Sequence, residues 1–225
     1  MSPNSKSILK LHPTQLRPLL GLTLLLVEDS RFTSEAIRMM CQRSGARLRR
    51  ADSLKSAERH LAVYRPSVVL IDIGLPDGSG LNLIRNLHRQ TPRIPTILGT
   101  SGDEMMHHST LMAGADGFLP KPIESIASFQ SAMLSNLPVK QRVLRPRSIE
   151  EDIVRPDPIA YCDDLRHASD LLNHKPVQSQ DYIFRFLDGV CKSSGDTEIV
   201  AAIEEKNLSR LQSKISDRIS EIATP

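Results

Sequence analysis

Short apolar runs alternate with longer amphipathic segments through the first 137 residues of the chain. Three of the runs are LTLLLV at 22–27, SVVLI at 67–71 and PTIL at 95–98. Continuous apolar runs are typical of parallel strands that are buried on both faces, and apolar residues at helical spacing between them indicate crossover helices. The pattern therefore predicts consecutive βα units on a parallel sheet.

Two further strands and five helices complete the predicted pattern. The strands are weaker and lie near 46–51 and 116–119. Ser30 and Ser53 precede the first two helices, and serine favours the N-terminal cap of a helix. The helices are expected at about 31–44, 54–64, 80–90, 104–113 and 123–136. We therefore expect an α/β fold with a doubly wound five-stranded parallel sheet, which binds ligands beyond the carboxyl ends of its strands.

The pattern changes after Leu137. The next 22 residues carry four prolines without clear periodicity and are interpreted as a linker. Beyond them, DDLRHASDLL, DYIFRFLDGVC and a segment from about Asp196 to Ile222 show helical spacing. We divide the chain into an N-terminal extension, an α/β domain, a linker and a small all-α C-terminal region, with the bounds 1–20, 21–137, 138–159 and 160–225.

The last predicted helix carries one apolar stripe. Its members lie three or four residues apart and are Leu208, Leu211, Ile215, Ile219 and Ile222. About 60 residues of short helices have little core of their own. We therefore expect this region to pack on the α/β domain, on a second copy of the chain as a homodimer, or on another protein.

The composition is that of an ordinary soluble protein, with 40% hydrophobic residues, 24% charged residues and a net charge of +3. Cys41, Cys162 and Cys191 are odd in number and stand in no metal-ligand spacing, which favours a reducing cytoplasm. No apolar run approaches the roughly 20 residues of a membrane span. Residues 138–225 contain 13 Lys and Arg against 15 Asp and Glu, the wrong sign for binding nucleic acid.

Ionisable side chains stand at the carboxyl ends of the predicted strands. Glu28 and Asp29 end the first strand, Asp72 ends the third, and Lys121 follows the fifth. Carboxylates that converge on one edge of a sheet repel one another unless a cation lies among them. Oxygen ligands favour Mg²⁺, with Mn²⁺ as the alternative. The sequence therefore predicts a divalent-cation site at this edge.

A carboxylate beside such a cation can act as a nucleophile toward a phosphoryl group and form an aspartyl phosphate. Asp72 is the best candidate because it ends the central buried strand. The adjacent Glu28 and Asp29 can hold the metal directly or through water. Lys121 supplies a flexible point charge for the phosphoryl oxygens.

These residues resemble the receiver domains of two-component response regulators. The resemblance covers about residues 21–137, just over half of the chain. It rests on LLLVEDS with Glu28 and Asp29, LIDIGLPDGSG with Asp72, ILGTSGD with Thr100, and AGADGFLPKP with Phe118 and Lys121. It implies a flavodoxin-like sheet with the strand order 2-1-3-4-5.

The resemblance also implies a role for each matching position. Asp72 resembles the phospho-acceptor, Glu28 and Asp29 the acidic metal pair, the backbone carbonyl of Gly74 the third metal ligand, Thr100 the switch hydroxyl, Phe118 the switch aromatic, and Lys121 the phosphate-binding lysine, which a cis peptide bond joins to Pro122. The segment from Thr100 to Gly114 is one residue shorter than is usual in the family. Gly99 is therefore the alternative at the switch position.

The resulting functional prediction is a cytoplasmic response regulator that takes a phosphoryl group from a histidine kinase or phosphotransfer protein. The resemblance implies autocatalytic phosphorylation and autophosphatase activity but no other enzymatic activity. The helical region would be a protein-binding output, whose partner the sequence does not identify. A receiver that keeps the fold without phosphorylation usually lacks the acceptor, the acidic pair or the lysine, and this chain has all of them.

Two alternatives concern the output of such a regulator. The first is a DNA-binding transcription regulator, although no persuasive helix-turn-helix pattern is present. The second is a phosphorelay intermediate that passes the phosphoryl group through His167. Phosphotransfer domains usually have lysine and glycine three and four residues after the histidine, where this chain has Asp170 and Leu171.

Overall fold

The computed structural model describes residues 12–123, 125–141, 153–174 and 180–223. Its central feature is a five-stranded parallel sheet, and two short strands pair separately as an antiparallel hairpin. The strands are β1 (Thr23–Val27), β2 (Arg47–Ala51), β3 (Val68–Asp72), β4 (Gly74–Leu75), β5 (Gly78–Ser79), β6 (Thr96–Ser101) and β7 (Gly117–Pro120). The large sheet has the order β2-β1-β3-β6-β7. With the hairpin set aside, this is the predicted order 2-1-3-4-5, which is confirmed.

The five helices of the α/β domain lie close to their predicted positions. They are α1 (Arg31–Ser44), α2 (Leu54–Val63), α3 (Gly80–Arg89), α4 (Met106–Met112) and α5 (Ile126–Asn136). The side chains of Ser30 and Ser53 accept hydrogen bonds from backbone amides in the first turns of α1 and α2. Gly45 ends α1 in the left-handed conformation, with φ 86°.

The sheet is covered on both faces, as a doubly wound fold requires. Alternate residues of β1 point to opposite faces, so Leu24 and Leu26 pack with α1 and α5. Leu25 and Val27 pack with α2 and α3 on the other face. Leu19, from the expected N-terminal extension, is buried in the first of these clusters.

The C-terminal region contains four helices in the described residues, one more than expected. They are α6 (Pro158–His174), α7 (Gln180–Ser194), α8 (Thr197–Glu204) and α9 (Leu208–Ala223), and a single 3₁₀ turn at Val139–Gln141 follows α5. The prediction of one helix from Asp196 to Ile222 was wrong. Lys206 adopts φ 53°, and the side chain of Asn207 accepts a hydrogen bond from the Arg210 amide, which starts α9 as a separate helix.

The four C-terminal helices share a core that also includes a residue of the α/β domain. Leu165, Leu187 and Leu211 are completely buried in this core. Phe32 of α1 joins it and lies against Tyr161, with the ring centroids 5.7 Å apart. Of the three expected packing arrangements, the structure thus shows contact with the α/β domain. None of the described helices is long and apolar enough to cross a membrane.

Candidate functional site

Three carboxylates meet at the carboxyl edge of the sheet. Asp72 is the last residue of β3, and Glu28 and Asp29 directly follow β1, the neighbouring strand. One oxygen from each side chain lies within 4.8 Å of the others. Glu28 is fully buried, Asp72 is 8% exposed and Asp29 is half-buried. The edge therefore concentrates negative charge where little water can screen it.

Lys121 provides the opposing charge from the loop after β7. Its Nζ lies 2.7 Å from Glu28 Oε2 and donates a hydrogen bond to Asp72 Oδ2 at 3.0 Å. The peptide bond between Lys121 and Pro122 is cis, as the family resemblance implied. Burial alone would lower the pKa of Lys121, but the charges of Asp72 and Glu28 outweigh it and raise this pKa. The lysine therefore stays protonated among the carboxylates.

One lysine does not balance three carboxylates, and the pKa values reflect this. Burial raises the pKa of Glu28 to about 8, with Lys121 opposing the rise and Asp72 adding to it. Burial and the charge of Asp72 raise the pKa of Asp29 to about 6. These groups could hold a divalent cation, because an oxygen-only donor set in a confined space suits such an ion. Gly74 lines a cavity together with these three carboxylates.

The two candidates for the switch position face different surroundings. Thr100 pairs in register with Asp72, and residues in register on neighbouring parallel strands point to the same face. Its side chain is fully buried, and its hydroxyl has no hydrogen-bond partner among the described residues. A Cβ added to Gly99 would instead lie 2.4 Å from Thr110 of α4. The geometry therefore favours Thr100 over Gly99 as the residue beside Asp72.

Phe118, the predicted switch aromatic, lies half-buried on β7. The ring of His107, on α4, stacks on it with the ring centroids 5.2 Å apart and an interplanar angle of 22°. No motif in the sequence predicted a contact between these two rings. Any change in the Phe118 rotamer must therefore break a contact with α4.

The loop after Asp72 holds β3 close to α3. The hairpin of β4 and β5 spans this loop, and Gly80 begins α3. A Cβ added to Gly80 would lie 2.1 Å from the carbonyl oxygen of Asp72. No larger residue fits there without moving the backbone, which explains the glycine in the motif LIDIGLPDGSG.

Two residues of the C-terminal helices also reach the site. Tyr182 of α7 donates a hydrogen bond of 2.5 Å to Asp29 Oδ2. Burial raises the pKa of Tyr182, and the charge of Asp29 adds to the rise, so the hydroxyl keeps its proton. Asp164 of α6 accepts hydrogen bonds at the start of α1, from the Ser30 hydroxyl, the Arg31 amide and the Phe32 amide, at 2.8, 2.8 and 3.0 Å.

The sequence analysis missed both residues. Tyr182 stands 153 positions from its partner Asp29 in the chain. No local motif marks such a contact, because spacing rules report only on residues in the same element. The low aromatic content, with three tyrosines in the chain, is the only sequence feature that could have drawn attention to Tyr182.

Beside the carboxylates lies a cavity of about 410 Å³ that both parts of the chain line. The α/β domain contributes Asp72 and Lys121, and α7 contributes Arg185, Phe186 and Lys192.

His167, the candidate phosphorelay residue, is exposed on α6. Its ring meets Phe186 edge-on at a centroid distance of 5.8 Å.

Comparisons with known proteins agree with this geometry. The family model described as "Response regulator receiver domain" matches residues 24–131. The virulence transcriptional regulatory protein PhoP of Shigella flexneri is 28% identical over 135 residues, which is 58% of this chain and 60% of that protein. PhoP of Escherichia coli (strain K12) has the same identity and coverage. The chain therefore matches only 60% of the length of these relatives.

Solved structures with similar folds include two receiver proteins. Chemotaxis response regulator CheY4 of Vibrio cholerae has 20% sequence identity and a TM-score of 0.47, and the match covers 52% of this chain and 98% of that one. The receiver domain of sensor histidine kinase PA1611 from Pseudomonas aeruginosa PAO1 has 25% identity and a TM-score of 0.46, over 51% of this chain and 96% of that one.

Proposed function

Residues 24–131 form a response regulator receiver domain, and from this premise we propose that the chain is a phosphorylated regulator with Asp72 as its acceptor. The observation that supports the proposal most directly is the meeting of Glu28, Asp29, Asp72 and Lys121 at one edge of the sheet. The donor would be a histidine kinase or a phosphotransfer protein. The readout would pass through the helices α6 to α9.

Each residue has a defined part in the proposed reaction. A carboxylate oxygen of Asp72 attacks phosphorus, an acyl phosphate bond forms, and the P–N bond of the donor phosphohistidine breaks with its electrons left on the donor nitrogen. Lys121 transfers its hydrogen bond from Asp72 Oδ2 to a phosphoryl oxygen. The hydroxyl of Thr100, which has no hydrogen-bond partner in the part of the chain that the structure describes, would then donate to a second phosphoryl oxygen.

We assign a Mg²⁺ ion to Glu28, Asp29, Asp72 and the backbone carbonyl of Gly74, with Mn²⁺ as a substitute. When bound, such an ion offsets the negative charge of the transferring phosphoryl group. The raised pKa values of Glu28 and Asp29 agree with this assignment, because burial and the neighbouring carboxylates disfavour their charged forms, which a bound cation would stabilise. In autophosphatase activity, water would attack the phosphorus, and the acyl phosphate bond would break with its electrons left on the Asp72 carboxylate, so that inorganic phosphate leaves.

Phosphoryl uptake tests the proposal directly. Purified protein is incubated with Mg²⁺ and acetyl phosphate, and the intact mass is measured. Wild type should gain one phosphoryl group, and Asp72→Asn should gain none. Asp77→Asn is the matched control, because Asp77 lies in the same loop but is exposed and caps α2. A wild-type protein that gains no phosphoryl group, or an Asp72→Asn protein that gains one, contradicts the proposal.

For the output, we propose binding to another protein, in the cytoplasm, under the control of Asp72. The net charge of −2 in residues 138–225 supports a protein partner over nucleic acid. The names of the PhoP relatives favour transcription regulation as a second candidate. A salt-dependent DNA-binding assay separates the two, and light scattering with and without phosphodonor tests for a homodimer.

The exposed position of His167 supports a test of the phosphorelay alternative. If His167 carries the phosphoryl group onward, His167→Ala should accept it at Asp72 and fail to transfer it to a downstream protein. Unchanged transfer would remove this alternative.

A further inference from the structure

The hydroxyl of Tyr182 donates a hydrogen bond to a side-chain oxygen of Asp29, one of the proposed metal ligands. Both side-chain oxygens of Asp29 accept hydrogen bonds, Oδ1 from the Ser30 amide at 3.1 Å and Oδ2 from Tyr182 at 2.5 Å. The first bond is local to the loop after β1. The second comes from α7, so a helix of the C-terminal region is bonded directly to a proposed metal ligand.

A second set of contacts holds the same region beside the site. The carboxylate of Asp164 takes three hydrogen bonds from the first residues of α1, immediately after Asp29. Arg31 also forms an ion pair of 2.8 Å with Asp163. Both sets of polar contacts therefore fall on residues 29 to 32, which are continuous with the acidic pair.

Helix α7 lies across the opening to Asp72. Residues 185 to 192 line the acceptor cavity over two helical turns, about 12 Å of helix. A protein donor must bring a histidine, together with the element that carries it, up to Asp72. A cavity of about 410 Å³ has room for a molecule the size of acetyl phosphate but not for a second helix.

We propose that α6 to α9 form a cover over the acceptor site, which Tyr182 latches to Asp29 and which cation and phosphoryl binding release. A cation that takes Asp29 Oδ2 competes with the Tyr182 hydroxyl for the same oxygen. Release would expose Asp72 to protein donors and free the surface of α6 and α7 for a partner. The inference rests on the proposed function, because the competing ligand is the cation assigned to the acceptor site.

The affinity for Mg²⁺ tests the hydrogen bond between Tyr182 and Asp29 without any phosphoryl transfer. Mg²⁺ is titrated calorimetrically into wild type and into Tyr182→Phe. The variant should bind Mg²⁺ about tenfold more tightly, because the cation no longer displaces a hydrogen bond to a charged group. Tyr64→Phe is the matched control, since the Tyr64 hydroxyl has no hydrogen-bond partner among the described residues and Tyr64 directly follows α2. It should leave Mg²⁺ affinity unchanged.

Hydrogen exchange of the Arg31 and Phe32 amides measures whether the cover stays docked, because these amides donate to Asp164. Exchange should accelerate in wild type when Mg²⁺ and beryllofluoride are added, and it should already be faster in Tyr182→Phe without them. Asp164→Asn removes the other anchor and should both speed this exchange and strengthen Mg²⁺ binding. It provides the same test if Tyr182→Phe does not fold.

The possible results distinguish failure of the proposed latch between Tyr182 and Asp29 from failure of the proposed function. Unchanged or weaker Mg²⁺ binding by Tyr182→Phe, or amide exchange in wild type that Mg²⁺ and beryllofluoride do not change, overturns the latch. Failure of wild type to take up a phosphoryl group overturns the proposed function instead. Tighter Mg²⁺ binding together with faster amide exchange supports the latch.

Discussion

Lys121 contacts two carboxylates in this structure, and the proposed reaction would give it a phosphoryl oxygen as a third partner. Its ammonium group is within 3.0 Å of both Glu28 and Asp72, and its side chain is only 8% exposed. Removing one member of a buried ion pair costs far more than removing an exposed pair, because the remaining charge stays in a poorly solvated place. Here two carboxylates would be left without their nearest cation.

We therefore expect Lys121→Met to lower the free energy of unfolding by about 3 kcal/mol in Mg²⁺-free buffer. Urea unfolding followed by circular dichroism checks this value. Lys192→Met is the matched control, because Lys192 forms a pair with Asp188 in which its side chain is 47% exposed. An exposed pair contributes less than about 1 kcal/mol. Equal losses in the two variants would contradict the view that Lys121 balances the buried carboxylates.

At the scale of elements, one close contact determines where α3 begins. Gly80 places the first turn of α3 against the backbone of Asp72, where an added Cβ would meet the carbonyl oxygen at 2.1 Å and Ile71 Cγ2 at 2.9 Å. The backbone rather than a flexible side chain blocks this position. Strand β3 and helix α3 therefore cannot both keep their positions if residue 80 has a side chain.

Gly80→Ala should lower the free energy of unfolding by about 3 kcal/mol and should also reduce phosphoryl uptake at Asp72. Gly189→Ala, in the middle of α7, makes a suitable comparison, because nothing lies within 4 Å of the added Cβ. That variant should gain up to about 1 kcal/mol, since alanine favours a helix over glycine. Denaturant unfolding of both variants checks the opposite signs, and a neutral Gly80→Ala would contradict the crowding argument.

The elements of the α/β domain could be predicted because their signals are local. Apolar runs marked the strands, Ser30 and Ser53 marked helix starts, and the ends of parallel strands share one edge, so Asp72 and Lys121 could be placed together before any coordinates. The break at Lys206 was missed because no glycine or proline lies between Asp196 and Ile222 to mark a helix end. The hairpin after Asp72 was also missed, since its strands have two residues each.

For the whole molecule, the relation between the two parts of the chain could not be predicted. Tyr182 and Asp164 contact residues more than 130 positions away, and neither belongs to a recognisable motif. Their contribution depends on how two separately formed cores meet, which periodicity does not report. The helical core consists of residues from α6 to α9, with Phe32 as its one member from the described α/β domain.

A small core of this kind should open before the larger one, and buried thiols can report the order. Burial raises the pKa of both Cys41, in the α/β core, and Cys191, in the helical core, to about 12. Neither thiol should react with iodoacetamide at a pH of about 8 in the folded protein, because the thiolate is the reactive form and both groups are buried. In rising urea, Cys191 should be alkylated at a lower concentration than Cys41, since short helices with little core of their own lose stability first.

Mass spectrometry of the cysteine peptides measures both reactions in one sample, with Cys191→Ser confirming the assignment. Alkylation of both thiols at one urea concentration would show instead that the two cores unfold as one cooperative unit, with the Tyr182 and Asp164 contacts strong enough to join them.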